Sequence, residues 1–101
     1  MKAVRYHEAA DSELLTAVGY LELRTKGLGR RLLAEIRKAE TIIAEFPESG
    51  EETRPGIRKR LLRKFRYSLV YSVEEDEIVI LAVAHASRRP EYWADRTSPG
   101  V

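Results

Sequence analysis

The sequence predicts an α+β domain: a short N-terminal strand, an α-helical hairpin, a three-stranded antiparallel meander forming a twisted sheet, and a short C-terminal helix. Three observations predict it. Leu28, Leu32, Ile36, Ala39, Ile43 and Phe46 are spaced by 4, 4, 3, 4 and 3 residues, which keeps them on one face of a helix. From Ile57 onward the pattern changes to strand-like alternation and an unbroken apolar run, Ile78 to Ala84. Between the two regimes lies Pro47-Glu-Ser-Gly-Glu-Glu-Thr-Arg-Pro-Gly56, the loop-like crossover from helices to sheet.

With 101 residues and 44% hydrophobic content, the chain supports one core and is expected to be a single domain, 1–101. Within it the helical hairpin spans about 12–46, the sheet about 56–85 and a tail 86–101. No apolar run approaches the ~18 residues of a membrane span, and 34% of residues are charged. Met1-Lys-Ala-Val-Arg-Tyr-His7 alternates rather than forming the apolar block of a signal peptide, so a cytoplasmic location is expected. The lack of cysteine removes disulfides and thiolate chemistry.

Taken in order, residues 2–7 alternate with a period of two and predict a short edge strand. Asp11 is a candidate N-cap for the first helix, with Glu13 placed near the positive helix end. Leu14, Leu15, Val18, Leu21 and Leu23 or Thr25 form its apolar stripe, and Gly27 is a left-handed C-cap candidate. The second helix carries the regular stripe and is terminated by Pro47. Gly27-Leu-Gly29 lacks the Lys-Ser/Thr and the preceding strand of a phosphate loop, and reads as the turn of the hairpin. Strands are predicted at Ile57–Arg63, Arg66–Val73 and Ile78–Ala84, joined by short turns and therefore antiparallel. In the second of these Tyr67, Leu69, Tyr71 and Val73 share the face expected to pack on helices, and the opposite face meets water or a partner. The last strand is apolar on both faces, as in a covered central strand or one whose outer face awaits a partner. Pro90 fits the first position of a short helix through Arg96, and 97–101 look frayed.

The net charge of +2 conceals an asymmetry: Arg54, Arg58, Lys59, Arg60, Arg63, Lys64 and Arg66 fall in a segment with no acid. Such a segment either steers an acidic partner or is a solvated strand edge protected against aggregation. A second cluster, His85, Arg88, Tyr92 and Trp93, follows the last strand. His85 is the proton-transfer candidate, since an unperturbed imidazole titrates near neutrality; a structural hydrogen bond at the strand end is the plainer reading. Tyr92 and Trp93 suit either base stacking or anchoring of the C-terminal segment to the core. His7 and His85 without a cysteine or a suitably spaced carboxylate make a poor metal site, and neither metal nor cofactor is expected. On residues alone the chain is a small α+β domain with a basic sheet surface suited to nucleic acid or an acidic protein.

The order of elements and several motifs together resemble the RelE/ParE superfamily of toxins from type II toxin-antitoxin modules. The residues that carry the resemblance are Gly27-Leu-Gly29, Pro47, Arg60-Leu61, Tyr67, Tyr71, Asp76 and Ile78, and above all Leu81-Ala-Val-Ala-His85 followed by Arg88, Pro90, Tyr92-Trp93 and Arg96. The His-x-x-Arg-x-Pro-x-Tyr-Trp tail is similar to ParE-like members. The resemblance implies a toxin neutralised by a ParD-like antitoxin in a heterotetramer or larger complex, contacting DNA through the antitoxin, with no membrane role. It also implies two possible targets. ParE-like members poison DNA gyrase, whereas RelE-like members cut messenger RNA on the ribosome. Target or antitoxin contacts are expected from Arg58, Arg60, Lys64, Arg66, Arg88, Tyr92 and Trp93. RNA cleavage would use His85 or Tyr92 for proton transfer, with Arg58, Arg60, Arg66 and Arg88 as the charge clamp.

Overall fold

Helix-forming and strand-forming patterns change over near residue 47, and the computed structural model, which describes residues 1–97, divides there as well. The elements are β1 (Ala3–Tyr6), α1 (Glu8–Arg24), α2 (Leu28–Glu45), β2 (Glu51–Arg54), β3 (Ile57–Leu61), β4 (Tyr67–Val73) and β5 (Glu77–His85), with 3-10 turns at Pro47–Ser49 and Ala94–Thr97. The α+β class and the β3–β4–β5 meander agree with expectation, but the sheet has five strands in the order β1-β5-β4-β3-β2. β1 is indeed an edge, and it lies parallel to β5 from Ala3 opposite Glu77 to Tyr6 opposite Ile80. β2 arises within the segment read as a loop. Its Glu51 and Glu52 pair with Lys59 and Arg58, and a bulge follows before Arg54. A short, fully exposed, charged strand has no hydrophobic alternation by which to be recognised.

The helices account for one core. Leu32, Ile36, Ala39 and Ile43 of α2 are buried as the spacing requires, whereas Phe46, past the helix end, is 63% exposed. α1 departs further from expectation. His7, not Asp11, caps it, its Nδ1 accepting from the Ala9 amide at 3.0 Å. The buried residues are Ala10, Leu14 and Ala17, while Leu15 and Leu23 face solvent. Alanines let the helix approach the sheet closely, so a stripe drawn through the largest apolar residues lies on the wrong side. α1 ends at Arg24, and Gly27 (φ 88°) stands at the start of α2 rather than at the end of α1. Glu22 reaches across to accept from the amides of Gly27 and Gly29 at 2.8 and 3.0 Å, satisfying first-turn donors of α2. These donors hold its carboxyl below the ordinary carboxylate range.

The sheet has two apolar faces. Leu69 and Tyr71 of β4 with Ile78, Ile80 and Val83 of β5 meet the helices. Ile57, Val70, Val79, Leu81 and Ala82 form a second cluster on the outer face, together with Trp93. The phase change in β5 is a bulge: Val70 opposes Ala82 and Tyr71 opposes Ile80, which leaves Leu81 as the extra residue. Of the two explanations for a strand apolar on both faces, coverage by the chain's own tail therefore holds for this cluster. That tail forms turns followed by a 3-10 turn from Ala94, not a helix from Pro90. Of the segment 97–101 expected to fray, Thr97 instead belongs to the 3-10 turn and its hydroxyl donates to the Ala94 carbonyl at 2.8 Å, while 98–101 lie outside the described residues.

Candidate functional site

The sequence-predicted residues fall into three environments. The first is built where β1 ends. Beyond Ile80, whose carbonyl accepts from the His7 amide, the outer edge of β5 has no strand partner among the described residues. Glu13 of α1 fills the gap: its Oε1 accepts from the Val83 amide at 3.0 Å. Arg96 donates to the Leu81 carbonyl at 3.0 Å and to both Glu13 oxygens at 3.0 and 3.1 Å. The Tyr92 hydroxyl donates to Glu13 Oε2 at 2.8 Å, and the Arg88 guanidinium lies 3.8 Å from the centre of the Tyr92 ring. A single carboxylate thus satisfies a strand edge and ties the tail to α1. Burial first, then the Glu13 hydrogen bond, pushes the Tyr92 phenol up to about 12, so it holds its proton at neutral pH. The Glu13 hydrogen bonds raise the Arg96 guanidinium above its ordinary value.

His85 occupies a second environment. It pairs with Tyr67 across β4–β5, and the two rings meet edge to face at 5.0 Å. Its Nδ1 accepts from the Ser87 amide at 3.0 Å and lies 2.8 Å from the Ser87 hydroxyl. The ring nitrogen that faces the chain is therefore an acceptor closing the turn after β5.

The basic segment is the third, and the sheet divides it. Arg58 and Arg60 oppose Tyr71 and Leu69, so they rise from the helix side, whereas Lys59 opposes Val70 and rises from the outer face. Arg58 is engaged by the chain itself, donating to the Gly50 and Glu48 carbonyls at 2.7 and 3.3 Å. Lys64 and Arg66 lie in the β3–β4 connection, since β3 ends at Leu61 and not at Arg63. The Arg66 carbonyl accepts from the Ala86 amide at 2.8 Å, which puts it beside the start of the tail. Among the described residues the side chains of Lys59, Arg60, Arg63, Lys64, Arg66 and Arg89 make no hydrogen bond or ion pair. Trp93 is only 4% exposed, with the Arg54 guanidinium 5.7 Å from its ring centre and Arg54 Nε donating to Glu91 at 2.7 Å. It anchors the tail and is not available for stacking in this conformation.

Two clefts open on the outer face. A trough of about 1020 Å³ at the β4–β5 turn is bordered by Glu74, Glu75, Asp76 and Glu77. A smaller groove of about 160 Å³ lies at the opposite end of β4, between Lys59, Ser68, Ala84 and the tail. Glu13 and Arg89 carry no site signal in the sequence, and Lys59 enters there only as a member of the basic segment. Glu13 meets Val83 across a separation of 70 residues, for which a single sequence carries no signal. Among the described residues there is no cluster of three or more His, Cys, Asp or Glu able to hold a metal, and no helix is long and apolar enough to cross a membrane.

These features define a small α+β protein with a helical hairpin on one side of a mixed sheet and unpaired cations gathered toward one end of that sheet. Residues 4–90 match the family described as ParE toxin of type II toxin-antitoxin system, parDE, and the chain belongs to that family. Among solved structures it is similar to one titled "Chromosomal ParDE TA system from P. aeruginosa", with TM-score 0.70 and 18% identity over 84% of this chain and 96% of that one. That likeness shows a shared fold. No curated protein matches the chain.

Proposed function

We propose that this toxin acts by poisoning DNA gyrase and is held inactive by a ParD-like antitoxin in a heterotetramer or larger cytoplasmic complex. The observation that carries the reading is the family match over residues 4–90, which includes the β3–β5 meander and the His85–Pro90 turn. The solved relative's title names a ParDE system, in keeping with an antitoxin partner. Arg60, Lys64 and Arg66, free of partners among the described residues, supply the contact surface for acidic protein groups. Arg58, Arg88, Tyr92 and Trp93 contribute by holding that surface together.

The alternative, RNA cleavage, needs a base and an acid near the reacting phosphate. Tyr92 is held protonated and bonded to Glu13. Because the Nδ1 of His85 accepts from the Ser87 amide, the proton of the neutral ring lies on Nε2, which is then a donor rather than a base. These arrangements favour a binding activity over proton transfer. In a supercoiling assay the purified toxin is expected to block gyrase and accumulate cleaved plasmid, and an Arg60→Glu, Arg66→Glu variant to be weaker. Full supercoiling with toxin in excess overturns the gyrase reading, and new mRNA 5′ ends after induction would restore the alternative.

A further inference from the structure

The groove at the start of β4 is built differently from the rest of the surface. Lys59 opposes Val70, and Ser68 opposes Ala84, so Lys59 and Ser68 rise from the same outer face one row apart. The tail closes the far side with Arg88, Arg89 and Glu91. Ser68 is a polar side chain only 5% exposed in an otherwise apolar layer, and its hydroxyl makes no hydrogen bond among the described residues. Yet no fully buried side-chain polar atom there is left without a partner, so the hydroxyl reaches the groove. Lys59 and Arg89 are also free of partners, while the single acid on the rim, Glu91, is already paired with Arg54. An unpaired hydroxyl at the floor beneath free cations is an arrangement that an anion with several acceptor oxygens completes.

We propose that this groove binds a phosphate group, carried by a nucleotide or a nucleic-acid strand, through Lys59, Arg89 and the Ser68 hydroxyl. Its volume of about 160 Å³ accommodates a phosphate with part of its sugar. A duplex lying along the sheet is disfavoured, because the other end of the same face carries Glu74, Glu75, Asp76 and Glu77. The ligand is accordingly a terminal phosphate or a single-stranded segment that ends before the acidic turn. This site is independent of gyrase as the target and stands or falls separately from the supercoiling assay.

Trp93 is the chain's single tryptophan and lines the groove, so its fluorescence reports occupancy. The test titrates the full chain with inorganic phosphate, with a 5′-phosphorylated single-stranded tetranucleotide, with the same oligonucleotide lacking that phosphate, and with a triglutamate peptide. Saturable binding of a phosphate-bearing probe is expected. It should weaken by at least about tenfold in the Lys59→Gln, Arg89→Gln double variant, the effect of losing one charge-assisted hydrogen bond. An Arg30→Gln, Arg31→Gln variant on α2 should bind as the wild type does. A response confined to phosphate and the phosphorylated strand assigns a terminal monoester; a response to both oligonucleotides assigns a bridging diester. No saturable response, equal binding by the double variant, or tighter binding of triglutamate overturns the proposal.

Discussion

Glu13 shows how one side chain can be worth more than its place in the sequence suggests. It accepts from a strand-edge amide, a phenol and a guanidinium, and its side chain and that of Arg96 are only 17% and 15% exposed. Glu13→Gln removes the charge but keeps the shape, leaving a mostly buried cation without its counterion; it should cost about 1–3 kcal/mol in urea unfolding. Arg5→Gln breaks the exposed Arg5–Glu77 pair and should change stability by less than about 0.5 kcal/mol, since solvent screens it. Two tyrosines give the pH dependence. Tyr92 is pushed up to about 12, and Tyr6, half-buried and bonded to Glu40, is raised as well. Because the folded state holds these phenol protons more tightly, their contribution is fully present below the ordinary tyrosine pKa of about 10. It declines as pH rises through the folded values. Urea midpoints followed upward from about pH 8 should fall across this window, and Tyr92→Phe and Tyr6→Phe should each flatten the decline.

At the scale of elements, the hairpin turns on close approach between helices. A Cβ at Gly29 would lie 2.3 Å from the Val18 carbonyl oxygen, which belongs to backbone and cannot swing away. Gly29→Ala gains about 1 kcal/mol of helix propensity but incurs an overpacking cost of about 1–3 kcal/mol, so net destabilisation is expected. Gly19 lies inside α1 with nothing near its would-be Cβ, and Gly19→Ala should stabilise by about 0.5–1 kcal/mol. Thermal melts of the two variants should therefore shift in opposite directions. The same elements show what a sequence can carry. The α2 stripe and β4 alternation were legible because each side chain's fate follows from period alone. α1 was misdrawn because alanine is a small contributor to any apolar stripe, yet Ala10 and Ala17 set the packing distance. β2 has no apolar face to reveal it, and the parallel β1–β5 pairing joins opposite ends of the chain. At the candidate site, the basic segment was legible as composition. Its division between two faces depends on strand register, and the loss of Arg58 and Tyr92 to internal bonds depends on contacts distant in sequence.

For the whole molecule, the sheet lies between unequal covers. The helices bury a broad core that includes Leu32, Ile36, Leu69, Tyr71 and Ile80, all fully enclosed. The outer face is closed over its smaller cluster by the tail, which is held through Trp93, the Arg54–Glu91 pair and the Glu13 network. Ordering each tail residue costs about 1–2 kcal/mol of backbone entropy, whereas burying the tryptophan returns only about 3 kcal/mol. The difference must come from the polar network, so the tail is the segment expected to open before the rest unfolds. Glu91, held at φ 59°, adds backbone strain in the same segment. Since Trp93 lies on the tail and the long helices dominate far-UV ellipticity, two probes separate the events. With rising urea the Trp93 emission should shift to the red before the ellipticity is lost. Arg96→Gln, which unties the tail from Glu13 and the Leu81 carbonyl, should move the fluorescence transition to lower urea and displace the ellipticity transition much less. Coincident transitions in both proteins would instead make tail and hairpin one cooperative unit, with the outer-face cluster contributing to global stability as fully as the helix-side core.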